Sequence, residues 1–222
     1  MIDPGALPLG AFILAGLLLN LTPGPDLIYT TASAARDGRR AGWVAALGIS
    51  TGCLAHVALG AIGVSALLAA SATAFGLLKL AGAAWLVWLG WRMLRAPTPS
   101  PTRAVRLGAA PADAPRPLRA VFLDGVLVNL LNPKVALFFL AFVPQFIDPR
   151  APNPTLAFVL LGALFVVNGT LVTGTLGTLA ASAARRLHER PGRILDAARR
   201  WLPRAVGAAL VGLGLRLALE PR

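Results

Sequence analysis

The chain has 222 residues, of which 56% are hydrophobic and 14% charged, and its mean hydropathy of +0.70 excludes an ordinary soluble domain. A net charge of +12 would suggest nucleic acid as a partner in a soluble protein, but here the basic residues lie between apolar stretches, which removes that reading. The single cysteine, Cys53, excludes an internal disulfide and a cysteine metal cluster, and within an apolar stretch it reads as a small packing residue.

Six stretches are long enough to cross a hydrocarbon core of about 30 Å, which takes about 20 helical residues: 6–35, 41–70, 75–94, 120–147, 155–184 and 201–219. Met1 to Leu9 carries no basic residue and no clear cleavage signal, so the first stretch is expected to be a span and not a removed signal peptide. That span is interrupted near its middle by Asn20-Leu21-Thr22-Pro23-Gly24-Pro25. The second carries Gly48, Gly52 and Gly60 with His56 completing a four-residue spacing, a stripe that lets helices approach closely and permits a homodimer. Residues 96–118 are rich in Pro, Ala and Arg and read as a cytoplasmic linker. The fourth span is interrupted by Asn129-Leu130-Leu131-Asn132-Pro133-Lys134. Ahead of the last span, Arg193 to Leu202 place apolar residues at helical spacing, which predicts a short amphipathic helix on the membrane surface.

Six spans put alternate connections on opposite sides. Sixteen Arg residues from Arg36 to Arg204 then fall on one side, against Lys79, Arg150, Arg216 and Arg222 on the other. The positive-inside rule places the Arg-rich side in the cytoplasm and both termini outside a cell (inner) membrane, with acidic lipid headgroups as partners. Residues 79–92 also resemble 204–216 when Trp85 is skipped, and nearly the same registration aligns the two proline breaks. The expected fold is therefore all-α: one polytopic bundle of six transmembrane helices in a 3+3 inverted repeat, with repeats 1–95 and 119–222 flanking the linker.

A break inside a span survives only where it is buried in protein or lines a polar cavity, so two matched breaks point to a substrate site. Thr22-Pro23 and Asn132-Pro133 each pair an N-cap residue with a proline suited to the first helical position, which predicts two half-helices presenting free amides to the cavity. Gly24, Asp26, Asn129 and Lys134 adjoin them, and a carboxylate beside an ammonium suits a zwitterion. In this reading Asp26 takes the amino group while Lys134 and the amides take the carboxylate. A structural Asp26–Lys134 ion pair is the alternative, since intramembrane charges are usually paired. Asp26, Asp124 and His56 are candidates for ion coupling. Asp124 could instead pair with Arg119 or favour its helix's first turns, and His56 could simply bond a neighbouring helix. Asn168 and Gln145 are further polar groups for the path.

The chain resembles the LysE/RhtB family of bacterial amino-acid exporters. The resemblance rests on Thr22-Pro23-Gly24-Pro25, Gly42 and Gly48, Phe122-Leu123-Asp124-Gly125 leading into Asn129 through Lys134, and the run from Leu137 to Pro149. It implies a transporter and not an enzyme, without cofactor or metal, exporting amino acids or derivatives such as threonine, homoserine or its lactone, leucine or lysine in exchange for protons. Two rivals remain. A metal-cation exporter would use carboxylate and amide ligands, although Lys134 and the lack of clustered carboxylates oppose it. An intramembrane hydrolase would use Gly48-Ile49-Ser50-Thr51-Gly52, but a nucleophile elbow needs a strand-to-helix turn.

Overall fold

A computed structural model describes residues 9–22, 24–95, 115–148, 152–186 and 193–219, and the described residues contain no strand. In chain order they form α1 (Leu9–Leu21), α2 (Pro25–Asp37), α3 (Arg39–Ala70), α4 (Ala72–Arg95), α5 (Leu118–Leu130) and α6 (Pro133–Leu137). A π-helical turn (Phe138–Phe142) and a 3-10 turn (Val143–Phe146) extend α6, followed by α7 (Pro154–Arg186) and α8 (Arg193–Leu219). The described part of each of the six apolar stretches is thus helical, apart from the two breaks. By length and composition, Arg39–Gly63 and Pro154–Ser182 can each cross a membrane. So can two bent pairs if each is one span: α1 with α2, bent by 54°, and α5 with Pro133–Phe146, bent by 49°. The chain is a multi-pass membrane protein. The short surface helix expected at 193–202 is continuous with the last stretch, as α8 runs unbroken to Leu219. Pro23 and linker residues 96–114 lie outside the described residues.

The first break begins two residues later than Thr22-Pro23 predicts. Gly24 is the N-cap of α2, in extended conformation, and Pro25 occupies the first turn. Thr22 instead closes α1: its amide reaches the Leu18 and Leu19 carbonyls at 3.1 and 3.2 Å, and its hydroxyl donates to Leu18 O at 2.8 Å. A threonine that still has an amide to give continues the preceding helix, and the second proline of the pair sets the next start. The other break follows expectation. Asn132 caps α6, its side-chain oxygen accepting the Lys134 amide at 3.0 Å, with Pro133 in the first turn.

Packing between helices follows from small residues. A Cβ on Gly48 or Gly52 would run into the backbone of Phe122 or Val126 in α5, and one on Gly125 would meet Ala45 O of α3. Gly60 faces the Phe158 ring of α7. The glycine stripe is therefore used inside the chain, and the argument it offered for a homodimer loses its ground. α3 lies against both α5 and α7, and α4 lies along α8, so the two stretches of similar sequence meet each other. Apolar surface in a bilayer gains little by leaving lipid, and such close backbone approach supplies the cohesion instead.

Seven phenylalanines fill the half of the bundle near the start of α1. Phe12, Phe138, Phe139, Phe142, Phe146, Phe158 and Phe165 are all buried. Ring centroids stand 4.3 Å apart for Phe138–Phe165, 4.9 Å for Phe138–Phe142 and 5.1 Å for Phe12–Phe146. The π turn contributes three of these side chains; π turns concentrate at functional sites.

Candidate functional site

Each proline deprives one carbonyl, four residues earlier, of its helical partner. For Pro23 that carbonyl is Leu19 O, and for Pro133 it is Asn129 O. Side chains from elsewhere serve both. The Lys134 ammonium donates to Leu19 O at 3.2 Å and to Thr22 O at 3.5 Å. A cation on the last carbonyls of α1 also opposes the negative end of that helix. His56 Nε2 lies 3.1 Å from Asn129 O, which fixes the tautomer with hydrogen on Nε2 for a neutral ring. Asn129 O also accepts the Asn132 amide at 2.9 Å.

The breaks hold each other from the opposite direction too. Asp26, in the first turn of α2, is 8% exposed. Its Oδ1 accepts from Asn129 Nδ2 at 3.3 Å and its Oδ2 from Asn132 Nδ2 at 3.0 Å. No direct Asp26–Lys134 ion pair forms among the described residues, whereas Asp37 and Asp124 do pair with arginine. Asp26 is therefore a buried carboxylate held by neutral amides and the N-terminal end of a helix, a setting that leaves room for a cation.

A cavity of about 20 Å³ opens beside Asp26, enough for roughly one water. Asn20, Asp26, Ser50, Asn129, Thr170 and Thr173 give it polar walls, and Ile49, Cys53, Val135, Phe165, Val166 and Gly169 the rest. Two of its amides keep unpaired atoms, the donor Asn20 Nδ2 and the acceptor Asn129 Oδ1; Asn168 Oδ1, on α7, is unpaired as well. Ser50 and Thr170 hydroxyls meet across the α3–α7 contact while also reaching Ala46 O at 2.8 Å and Val166 O at 2.7 Å. Two protons serve three contacts, so this pair can reorient toward a guest.

At the end of α2 away from the break, Arg116 gathers a second polar cluster. Its Nε donates to Asp37 Oδ2 at 3.0 Å, its amide to Asp37 Oδ1 at 3.3 Å and its Nη2 to Ser33 Oγ at 3.1 Å. Nη1 lies 3.4 Å from Asp124 Oδ2. Asp124 thus pairs with Arg116 and not with the expected Arg119. Burial pulls the Arg116 pKa down, but hydrogen bonding to Asp37, the nearby Tyr29 phenol and the Asp37 carboxylate outweigh it and leave the pKa above the usual arginine value.

Residues 17–221 match the model of the LysE type translocator. The chain belongs to this family. It is 38% identical over 103 residues to an uncharacterized membrane protein of Vibrio cholerae, covering 45% of this chain and 50% of that one. A homoserine/homoserine lactone efflux protein of Salmonella typhi is 38% identical over 86 residues, 39% of this chain and 42% of its own. A leucine efflux protein of an Enterobacter species is 29% identical over 90 residues, 40% and 43% respectively. The chain spans about half the length of the curated relatives it matches, or somewhat less. No solved structure matches it.

In this LysE type translocator the sequence-predicted groups Asp26, Asn129 and Asn132 do come together, and Asp26 and Asn129 reach the cavity. Thr22, Gly24, Pro133 and Lys134 shape the breaks but are not among its walls. His56 serves a carbonyl, and Gln145 Nε2 donates to Ala141 O at 3.0 Å within its own turn. The sequence reading missed Asn20, Thr170 and Thr173 as wall residues, and had Ser50 only as a nucleophile. Their signal was faint, because a hydroxyl in an apolar helix normally bonds its own backbone. Ser50 sits in unbroken α3, not at a strand-to-helix turn, which removes the premise of a hydrolase.

Proposed function

We propose that this translocator exports small amino acids or close derivatives from the cytoplasm, with Asp26 binding the substrate ammonium. The observation that carries the reading is a buried carboxylate that has amide partners but no ion pair, on the wall of a polar cavity between two helix breaks. The unpaired Asn20 amide and the Ser50–Thr170 hydroxyls are suited to the substrate carboxylate. Lys134, committed to Leu19 O and Thr22 O, serves to fix the first break rather than to hold the carboxylate directly. Relatives named for homoserine lactone and leucine efflux favour this substrate class over a metal cation. Among the described residues no three His, Cys, Asp or Glu side chains come together as a cation site.

In the proposed architecture, six spans form a 3+3 inverted repeat, residues 1–95 and 119–222, in a cell (inner) membrane with both termini outside. The Arg116 end then faces the cytoplasm. A proton on Asp26 takes the place of the substrate ammonium on the return step, which makes the exchange an antiport. Asp26 suits this role better than Asp124, which is tied to Arg116, or His56, which is tied to Asn129 O.

Vesicles loaded with a panel of labelled amino acids test the proposal by efflux with and without an inward proton gradient. Efflux of at least one amino acid is expected, accelerated by the gradient. Asp26→Asn should reduce it by roughly two orders of magnitude, the scale of losing a buried charge partner, at unchanged membrane levels. Full gradient-driven efflux by Asp26→Asn would overturn the assignment.

A further inference from the structure

We propose that the seam between α2 and α5 is the gate on the Arg116 side of the cavity, and that Arg116 is its latch. The proposal rests on the transport reading above, since a gate needs a path to close. Tyr29, Ser33 and Asp37 recur every four residues and so share one face of α2. Each is bonded to the chain at or just before the start of α5. Tyr29 Oη donates to Val121 O at 2.9 Å, and Arg116 binds Ser33 and Asp37 while also reaching Asp124 of α5. The side chain of Asp37 is 2% exposed and also pairs with Arg36 of its own helix at 3.4 Å, so across the seam it is the Arg116 guanidinium that closes over a buried carboxylate.

α2 is also built to pivot. Its 13 residues lie between the 54° break and Gly38, whose φ of 91° belongs to the left-handed region that glycine adopts without a Cβ penalty. From Asp26 to Asp37 is about 16 Å along the helix, so the latch is separate from the cavity carboxylate. Polar contacts of this kind can be exchanged for water when the seam parts. The phenylalanine half offers no such exchange, so the two sides of the cavity open by different means.

Cys53 lies on the cavity wall and supplies a native reporter of opening. The test is the rate at which a membrane-impermeant anionic methanethiosulfonate modifies Cys53 in inside-out and right-side-out vesicles. Arg116→Gln and Asp37→Asn should react about tenfold faster from the Arg116 face alone, because the rate follows the open fraction. Arg119→Gln, on an exposed neighbour, should react like the parent. A parental rate in both latch variants, or an equal rise from both faces, overturns the latch. If those two variants fail to fold, Asp124→Asn decides, because its half-exposed side chain tolerates the change. A faster rate from the Arg116 face upholds the proposal and a parental rate overturns it. Efflux in the same vesicles separates the two ideas. Faster one-sided labelling without amino-acid efflux in the parent sinks the transport reading alone, whereas efflux with unchanged labelling sinks the latch alone.

Discussion

The two proline breaks face the same problem and solve it differently. At the first, a charged ammonium from the other half of the chain reaches two carbonyls of α1. At the second, Asn129 O has the His56 imidazole of α3, with the local Asn132 amide as well. Each carbonyl also accepts a local amide, Leu19 O from Thr22 at 3.2 Å and Asn129 O from Asn132 at 2.9 Å; the difference is that the second break has a capping side chain of its own, while the first takes its side-chain donor from the second. A break held by a distant charge responds to whatever moves that charge, and that makes the first break the more switchable of the two.

Lys134→Met tests this comparison with the largest expected effect. It removes the ammonium donor shared by Leu19 O and Thr22 O, at a cost of about 1–3 kcal/mol in all because Leu19 O keeps the Thr22 amide, seen as a lower unfolding temperature of the detergent-solubilised protein. Lys134→Arg should recover part of the loss, and a stable Lys134→Met would show that water serves the first break equally well. Asn132→Ala comes next. It removes the α6 cap, about 1 kcal/mol, and one of the two amide donors to Asp26, so thermal stability and efflux should both fall. Efflux that stays intact while stability falls would assign Asn132 to the cap alone. His56→Leu should cost least, about 0.6 kcal/mol, because the Asn132 amide still bonds Asn129 O. If His56→Leu destabilises more than Lys134→Met, the order of dependence between the breaks is reversed.

Much of this was legible from residue types. Apolar length located all six helical stretches, and proline chemistry located both breaks, because these depend on local backbone rules. The exact start of α2 was not legible. Pro23 and Pro25 are equally good first-turn residues, and only the bonds that Thr22 makes to Leu18 decide between them. Lys134 was legible as important but not in its role. Its nearness to Asp26 suggested a ligand, whereas Leu19 O and Thr22 O at the end of α1 are its partners across more than a hundred residues of sequence. Arg116 was counted only as one more cytoplasmic charge. Its bonds to Ser33 and Asp37 arise from how α2 and α5 meet, which no local pattern encodes.

The small volume of the central cavity has a bearing on the energetics of the cell. A proton crosses a membrane protein along a chain of waters, and room for roughly one water beside Asp26 breaks that chain. On one side the column of packed phenylalanine rings extends the dry stretch. If Asp26 carries the exchanged proton as proposed, a cavity this small admits substrate and proton only in turn, as one side or the other opens.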